Sequence, residues 1–189
     1  MLYKIWKTPS SKNFLHGVVI AAWTSFMFGY HVHEKAVLNI ILPLALLSSE
    51  TPNTFFITCV TGTFSLFPLL FTPFEIILKG LIFLFHGVMT YHFIPAISLK
   101  KYEWVYIFGF LPLYLFENLG PMYLKKYPFL PLLLVSDYCF LGIFYCYLKF
   151  YYSFLKSKNK SPVKDTESKK SPPRRATQTR YNLRNRKGL

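Results

Sequence analysis

Six apolar runs fill the first 155 residues of this 189-residue chain, at residues 14–30, 32–47, 55–71, 75–97, 104–119 and 129–151. A helix needs about 20 apolar residues, and no fewer than about 17, to cross the hydrocarbon of a bilayer. Runs of this size predict an all-α, polytopic transmembrane helical bundle of about six spans. A compact water-soluble enzyme is not expected. With 52% hydrophobic and 20% aromatic residues, the core would outgrow what a chain of this length can enclose. Pro43, Pro68, Pro95 and Pro112 fall inside the runs. Proline there predicts bent helices, tolerated where neighbouring helices re-satisfy the freed carbonyls. The second run is short and interrupted by Pro43, so a broken or partly re-entrant helix is expected.

Charge is segregated from this apolar material. Of the formal net charge of +14, residues 156–189 carry +10 and residues 1–155 carry +4. The tail lacks the apolar surface to offset the entropy of folding, so the chain divides into a membrane region, 1–155, and a disordered basic tail, 156–189. A solvated tail that fixes topology is the plainer reading. Its charge would also suit anionic lipid, at about 1 kcal/mol per basic residue near the surface, or a polyanion. No nucleic-acid module accompanies it, and no nucleic-acid partner is expected. Ser161 and Ser171 each precede a proline, where phosphorylation would lower the charge.

Lysines in short loops favour the cytoplasmic side. With six spans, that side receives residues 1–13 with Lys4, Lys7 and Lys12, the loop near Glu50, the loop with Lys100 and Lys101, and the tail. The other side receives residues 31–35, residues 72–74 and the loop with Lys125 and Lys126. Five spans would put the two ends on opposite faces. The first run is read as an uncleaved span, because it is long and leads into His31, Val32, His33 and Glu34 rather than into a small-residue cleavage site.

The segment His31, Val32, His33, Glu34, Lys35 brings two imidazoles, a carboxylate and an amine to the edge of the apolar region. A charge at the bilayer centre costs about 2.5–3.5 kcal/mol on insertion scales, so such a cluster belongs at the interface or in a hydrated cavity. If the stretch is helical, His31 and Lys35 share a face with Glu34 beside them, and His33 points elsewhere. That face suits a phosphate, with Lys35 as point charge, histidine as donor and Glu34 orienting Lys35. The alternative is an interfacial Glu34–Lys35 ion pair with snorkelling side chains.

Other polar groups in the runs give weaker signals. His86 and His92 do not share a helix face, which argues against metal and for hydrogen bonds between helices. Asp137 requires a partner or a cavity. Cys59, Cys139 and Cys146 read as small buried hydrophobes without disulfide or metal spacing.

Thr24 to Leu38, reading TSFMFGYHVHEKAVL, resembles the signature of the endoplasmic-reticulum glucosyltransferases that use dolichyl-phosphate glucose to build the lipid-linked N-glycan precursor. Residues 64–75, FSLFPLLFTPFE, and residues 126–139, KYPFLPLLLVSDYC, agree with it. His31 favours the branch that adds the second glucose. The resemblance implies a GT-C-like enzyme of the endoplasmic-reticulum membrane, multi-pass, with a cytosolic tail. It implies transfer of glucose to a monoglucosylated oligosaccharide on dolichyl pyrophosphate, forming an α-1,3 bond with inversion. Dolichyl-phosphate glucose is the donor, and no metal or further cofactor is expected. His31, His33, Glu34 and Lys35 are then the residues that hold the donor phosphate. The family's catalytic aspartate lies in an amino-terminal lumenal loop with no counterpart here. The chain is thus expected to be the carboxy-terminal part of such an enzyme, without its base and inactive alone. A non-catalytic membrane anchor, whose basic tail grips anionic lipid or chromatin, is the competing reading.

Overall fold

A computed structural model describes residues 2–30, 32–69, 75–94, 96–123 and 129–156, with backbone only at residues 4, 34, 69 and 120–123. The described residues all belong to one unit, and the tail beyond Lys156 lies outside them. Among the described residues the chain is helical throughout: α1 Leu2–Lys7, α2 Ser11–Phe28, α3 Leu38–Ala45, α4 Pro52–Ser65, α5 Glu75–Phe93, α6 Lys101–Phe108, α7 Phe110–Tyr123 and α8 Leu130–Lys156. Short 3₁₀ turns at Glu34–Val37 and Phe67–Leu69 complete it.

Two of these helices, α5 with 19 residues and α8 with 27, are long and apolar enough to cross a bilayer. The expected count of about six such spans is not reached, and the breaks have local causes. Residues 104–119 divide into α6 and α7 at Gly109. The second run yields the eight-residue α3, with Pro43 inside it, entered through a 3₁₀ turn. The 14-residue α4 carries Thr54, Thr58, Thr61 and Thr63, whose hydroxyls dilute its apolar character.

Helix α4 sits among α3, α5, α6 and α8. One core packs Trp23 of α2, Leu44 of α3 and Ile57 of α4 against Cys146 and Phe150 of α8; a second gathers Phe64, Phe67, Phe110, Val135 and Cys139. All three cysteines are buried and free, as expected of small hydrophobes. The buried Thr58 hydroxyl donates to the Thr54 carbonyl at 2.8 Å, and that of Thr61 lies 3.2 Å from the Tyr106 hydroxyl of α6.

Helices α6 and α8 run antiparallel and interlock through tyrosines. The Tyr106 and Tyr138 rings stack at 4.7 Å. Tyr106 Oη donates to the Tyr138 carbonyl at 3.1 Å, and Tyr138 Oη donates to the Tyr106 carbonyl at 2.6 Å. Each hydroxyl occupies the place where a Cβ would stand across the contact, at Gly142 of α8 and at Gly109 just after α6 respectively. Glycine is required at both positions by this close approach.

Polar contacts identify the two ends of the bundle. At one, Lys12 Nζ pairs with Glu50 Oε1 at 2.5 Å, joining the start of α2 to the turn after α3. Asn53 Nδ2 donates to the Ser98 carbonyl at 2.6 Å, and Ser98 N–H returns a bond to Asn53 Oδ1 at 2.9 Å. Glu103 at the start of α6 meets Lys149 near the end of α8 at 2.5 Å. At the opposite end, Val37 rests against Gly62, and the Tyr114 hydroxyl donates to the Ile76 carbonyl. The helices therefore alternate in direction, with α6 and α7 following one another the same way.

Candidate functional site

The helix of α2 does not continue past Phe28, and both Gly29 and His33 are extended. Gly29 ends α2 with φ −71° and ψ 141°, and its N–H returns to the Ser25 carbonyl at 2.9 Å. A Val32 methyl lies 2.7 Å from where a Cβ on Gly29 would be, so glycine lets the chain fold over the helix end. His33 is also extended, with φ −73° and ψ 149°, and its carbonyl accepts the Ala36 N–H at 2.9 Å to open the 3₁₀ turn. Val37 closes that turn by burying completely.

This geometry revises the helical-face reading of residues 31–35. With an extended His33, the four-residue spacing of His31 and Lys35 does not define a common helix face. The structure places His33 and Lys35 within three residues on one connector, both exposed. His31 lies outside the described residues, as does the Glu34 side chain. Neither His33 nor Lys35 makes an ion pair among the described side chains. An exposed ammonium and imidazole held by a buried Val37 can donate to an anionic oxygen approaching from outside.

Two buried charged groupings escaped the sequence reading. Lys79 is 6% exposed on α5 and interacts electrostatically with Glu117 of α7. Glu75, one turn before Lys79, and Glu117 each carry an oxygen that is shut from solvent and has no hydrogen-bond partner among the described residues. These residues lie toward the same end as His33, and the i, i+4 spacing of Glu75 and Lys79 was their only signal. At the other end Glu103, 1% exposed, accepts from Lys149 Nζ at 2.5 Å, Tyr145 Oη at 2.8 Å and the Lys100 N–H at 2.9 Å. Burial pushes its carboxyl up, but these donors outweigh burial and hold it below the ordinary glutamate range.

His86 does make the expected contact between helices, with Nδ1 3.3 Å from Thr63 Oγ1. His92 meets the Phe93 ring edge-on. Asp137 is exposed on α8. No group of three or more His, Cys, Asp or Glu side chains among the described residues is placed to hold a metal ion.

The described residues thus form a helical bundle whose connector between α2 and α3 carries an exposed His33 and Lys35. Residues 1–150 match the model of the ALG6, ALG8 glycosyltransferase family, and the chain belongs to that family. The relatives it matches include the dolichyl pyrophosphate Glc1Man9GlcNAc2 alpha-1,3-glucosyltransferases of Mus musculus, 42% identical over 155 residues, and Bos taurus, 38% identical over 155 residues. In both cases 75% of this chain aligns with 30% of the relative. The Arabidopsis thaliana protein of the same name is 34% identical over 165 residues, covering 75% of this chain and 33% of its own. The chain thus spans about a third of the length of these relatives. No solved structure matches it.

Proposed function

We propose that this chain is the donor-holding membrane portion of an α-1,3-glucosyltransferase that passes glucose from dolichyl-phosphate glucose to a monoglucosylated, dolichyl-pyrophosphate-linked oligosaccharide. The observation that carries the reading is the family match over residues 1–150, joined to an exposed His33 and Lys35 on one connector. In the reaction, the acceptor hydroxyl attacks the anomeric carbon as the bond to the donor phosphate breaks. Lys35 stabilises charge developing on the leaving phosphate as a point charge, and His33 donates a hydrogen bond to it. His31 and Glu34 belong to the same motif, with Glu34 orienting Lys35. The acceptor proton passes to a carboxylate base, which we assign to a part of the enzyme beyond this chain.

The proposed setting is the endoplasmic-reticulum membrane, with six passes, His33 toward the lumen and the tail toward the cytosol. Charge supports this orientation. Among the described residues, Lys4, Lys7, Lys12, Lys100, Lys101, Lys149 and Lys156 gather at the Glu50 end against Glu50 and Glu103. The His33 end has Lys35 and Lys79 against Glu34, Glu75, Glu117 and Asp137. Lysine-rich ends stay cytosolic.

The test is a chimera in which residues 1–150 replace the matching region of the mouse relative, assayed in microsomes with labelled dolichyl-phosphate glucose. Lys35→Ala removes a charge-assisted contact worth about 1.5–3 kcal/mol and should slow transfer about 10- to 100-fold. His33→Ala should also slow it. Full transfer by both variants would remove the donor-site role.

A further inference from the structure

We propose that α1 is an interfacial foot that seats the lysine-rich end of the bundle on anionic phospholipid headgroups. The helix has six residues and is too short to be stable alone in water. It nevertheless turns large apolar groups outward: Leu2 is 76% exposed, Tyr3 75% and Trp6 89%. What fixes it is Ile5, whose Cδ1 lies 2.5 Å from where a Cβ on Gly17 would stand.

That contact sets the height of the foot. Gly17 lies six residues into α2, about 9 Å from its start at 1.5 Å per residue. The same turns carry Lys12 and His16, which meet Glu50 at 2.5 Å and 4.0 Å. Tyr3 and Trp6 are thus held level with a polar layer, where amphipathic rings sit in a bilayer. Other aromatics continue the belt. Lys7 stands over Tyr3 at 5.9 Å, Lys100 over Tyr102 at 5.6 Å, Lys149 over Tyr145 at 5.5 Å and Lys156 over Tyr152 at 6.0 Å. Four ammonium–ring pairs at one end place cations at headgroup height beside apolar faces.

The excess of lysine over glutamate at this end selects the occupant. A protein covering α1 would have to bring its own acids, whereas an anionic phospholipid supplies phosphate to Lys7 and acyl chain to the rings together. Leu2, Tyr3, Ile5, Trp6 and Pro9 line an open apolar groove of about 730 Å³ that suits the glycerol–acyl boundary.

The test reads the depth of Trp6. The full chain is reconstituted into nanodiscs of phosphatidylcholine with or without phosphatidylserine, and the emission lost in Trp6→Phe isolates Trp6 from Trp23 and Trp104. We expect that component to be quenched by lipids brominated near the headgroup, shielded from aqueous iodide, and shifted to shorter wavelength by phosphatidylserine. Lys7→Glu should abolish the phosphatidylserine shift, and Gly17→Leu, which displaces Ile5, should open Trp6 to iodide. Full iodide quenching in the unsubstituted chain would overturn the proposal. So would insensitivity to iodide and bromolipid alike, the mark of a protein cover, or an emission indifferent to phosphatidylserine. Glucose transfer does not enter this measurement, so its outcome is independent of the catalytic reading.

Discussion

At Gly142 a single hydrogen atom makes room for the Tyr106 hydroxyl, which then reaches the Tyr138 carbonyl. A methyl group there must displace a ring stacked on its neighbour, an overpacking cost of about 1–3 kcal/mol. Gly142→Ala should lower the thermal midpoint in detergent. Tyr106→Phe removes the hydroxyl and its bonds, at about 1 kcal/mol, and should recover part of the loss when combined with Gly142→Ala. Strict additivity in that double-mutant cycle would show that the two residues do not interlock. Both residues are visible in the sequence, yet their pairing is not. A glycine in an apolar run signals only a close approach, and the identity of what approaches depends on how α6 lies along α8.

The pair Glu103–Lys149 acts at the scale of elements, tying the first turn of α6 to the last turns of α8. Removing one partner of a buried ion pair costs about 3–5 kcal/mol, and the 31% exposure of Lys149 moves the expectation to the low end. Lys149→Met should therefore destabilise clearly, and the double change with Glu103→Leu should recover much of the loss. Because the Glu103 carboxyl is held below its ordinary range, its contribution is fully present above the unfolded glutamate value, about 4.3. It fades as pH falls through the depressed native value. The stability gap between the unsubstituted chain and Glu103→Gln, followed by thermal unfolding against pH, should narrow on acidification. A gap that widens would refute the assignment.

Elements were legible where apolar length alone decides them. The last run appears as α8, although it continues to Lys156 because lysines and tyrosines hold its end in a polar layer. Runs broken by conformational chemistry were less legible. Residues 104–119 read as one span, but Gly109 divides them where the Tyr138 hydroxyl comes in. Residues 32–47 lost their first part to the extended connector that Gly29 permits. In the site, the motif HVHEK stood out by composition, whereas Lys79 was hidden in an apolar stretch whose partner, Glu117, comes from another helix.

For the whole molecule, alternating helix directions put the connector with His33 opposite the turn with Glu50. A glycosylation acceptor sequence with a spacer, inserted beside residue 33, should be modified in microsomes. The same insertion at residues 48–50 should not. The reverse pattern would turn the bundle over and remove His33 and Lys35 from any lumenal chemistry.

The reciprocal tyrosine bonds also limit how such a bundle moves. A one-turn slip between α6 and α8 would carry both hydroxyls away from the two places that lack a side chain and drive them against bulk. These helices therefore behave as a fixed-register strut. Helix α5, by contrast, turns most of its length outward as bare apolar side chains. It is held by more than its hydrogen bonds from His86 to Thr63 and from Tyr114 to the Ile76 carbonyl, because Phe83 packs against Phe64, Phe67 and Phe110 and Lys79 faces Glu117.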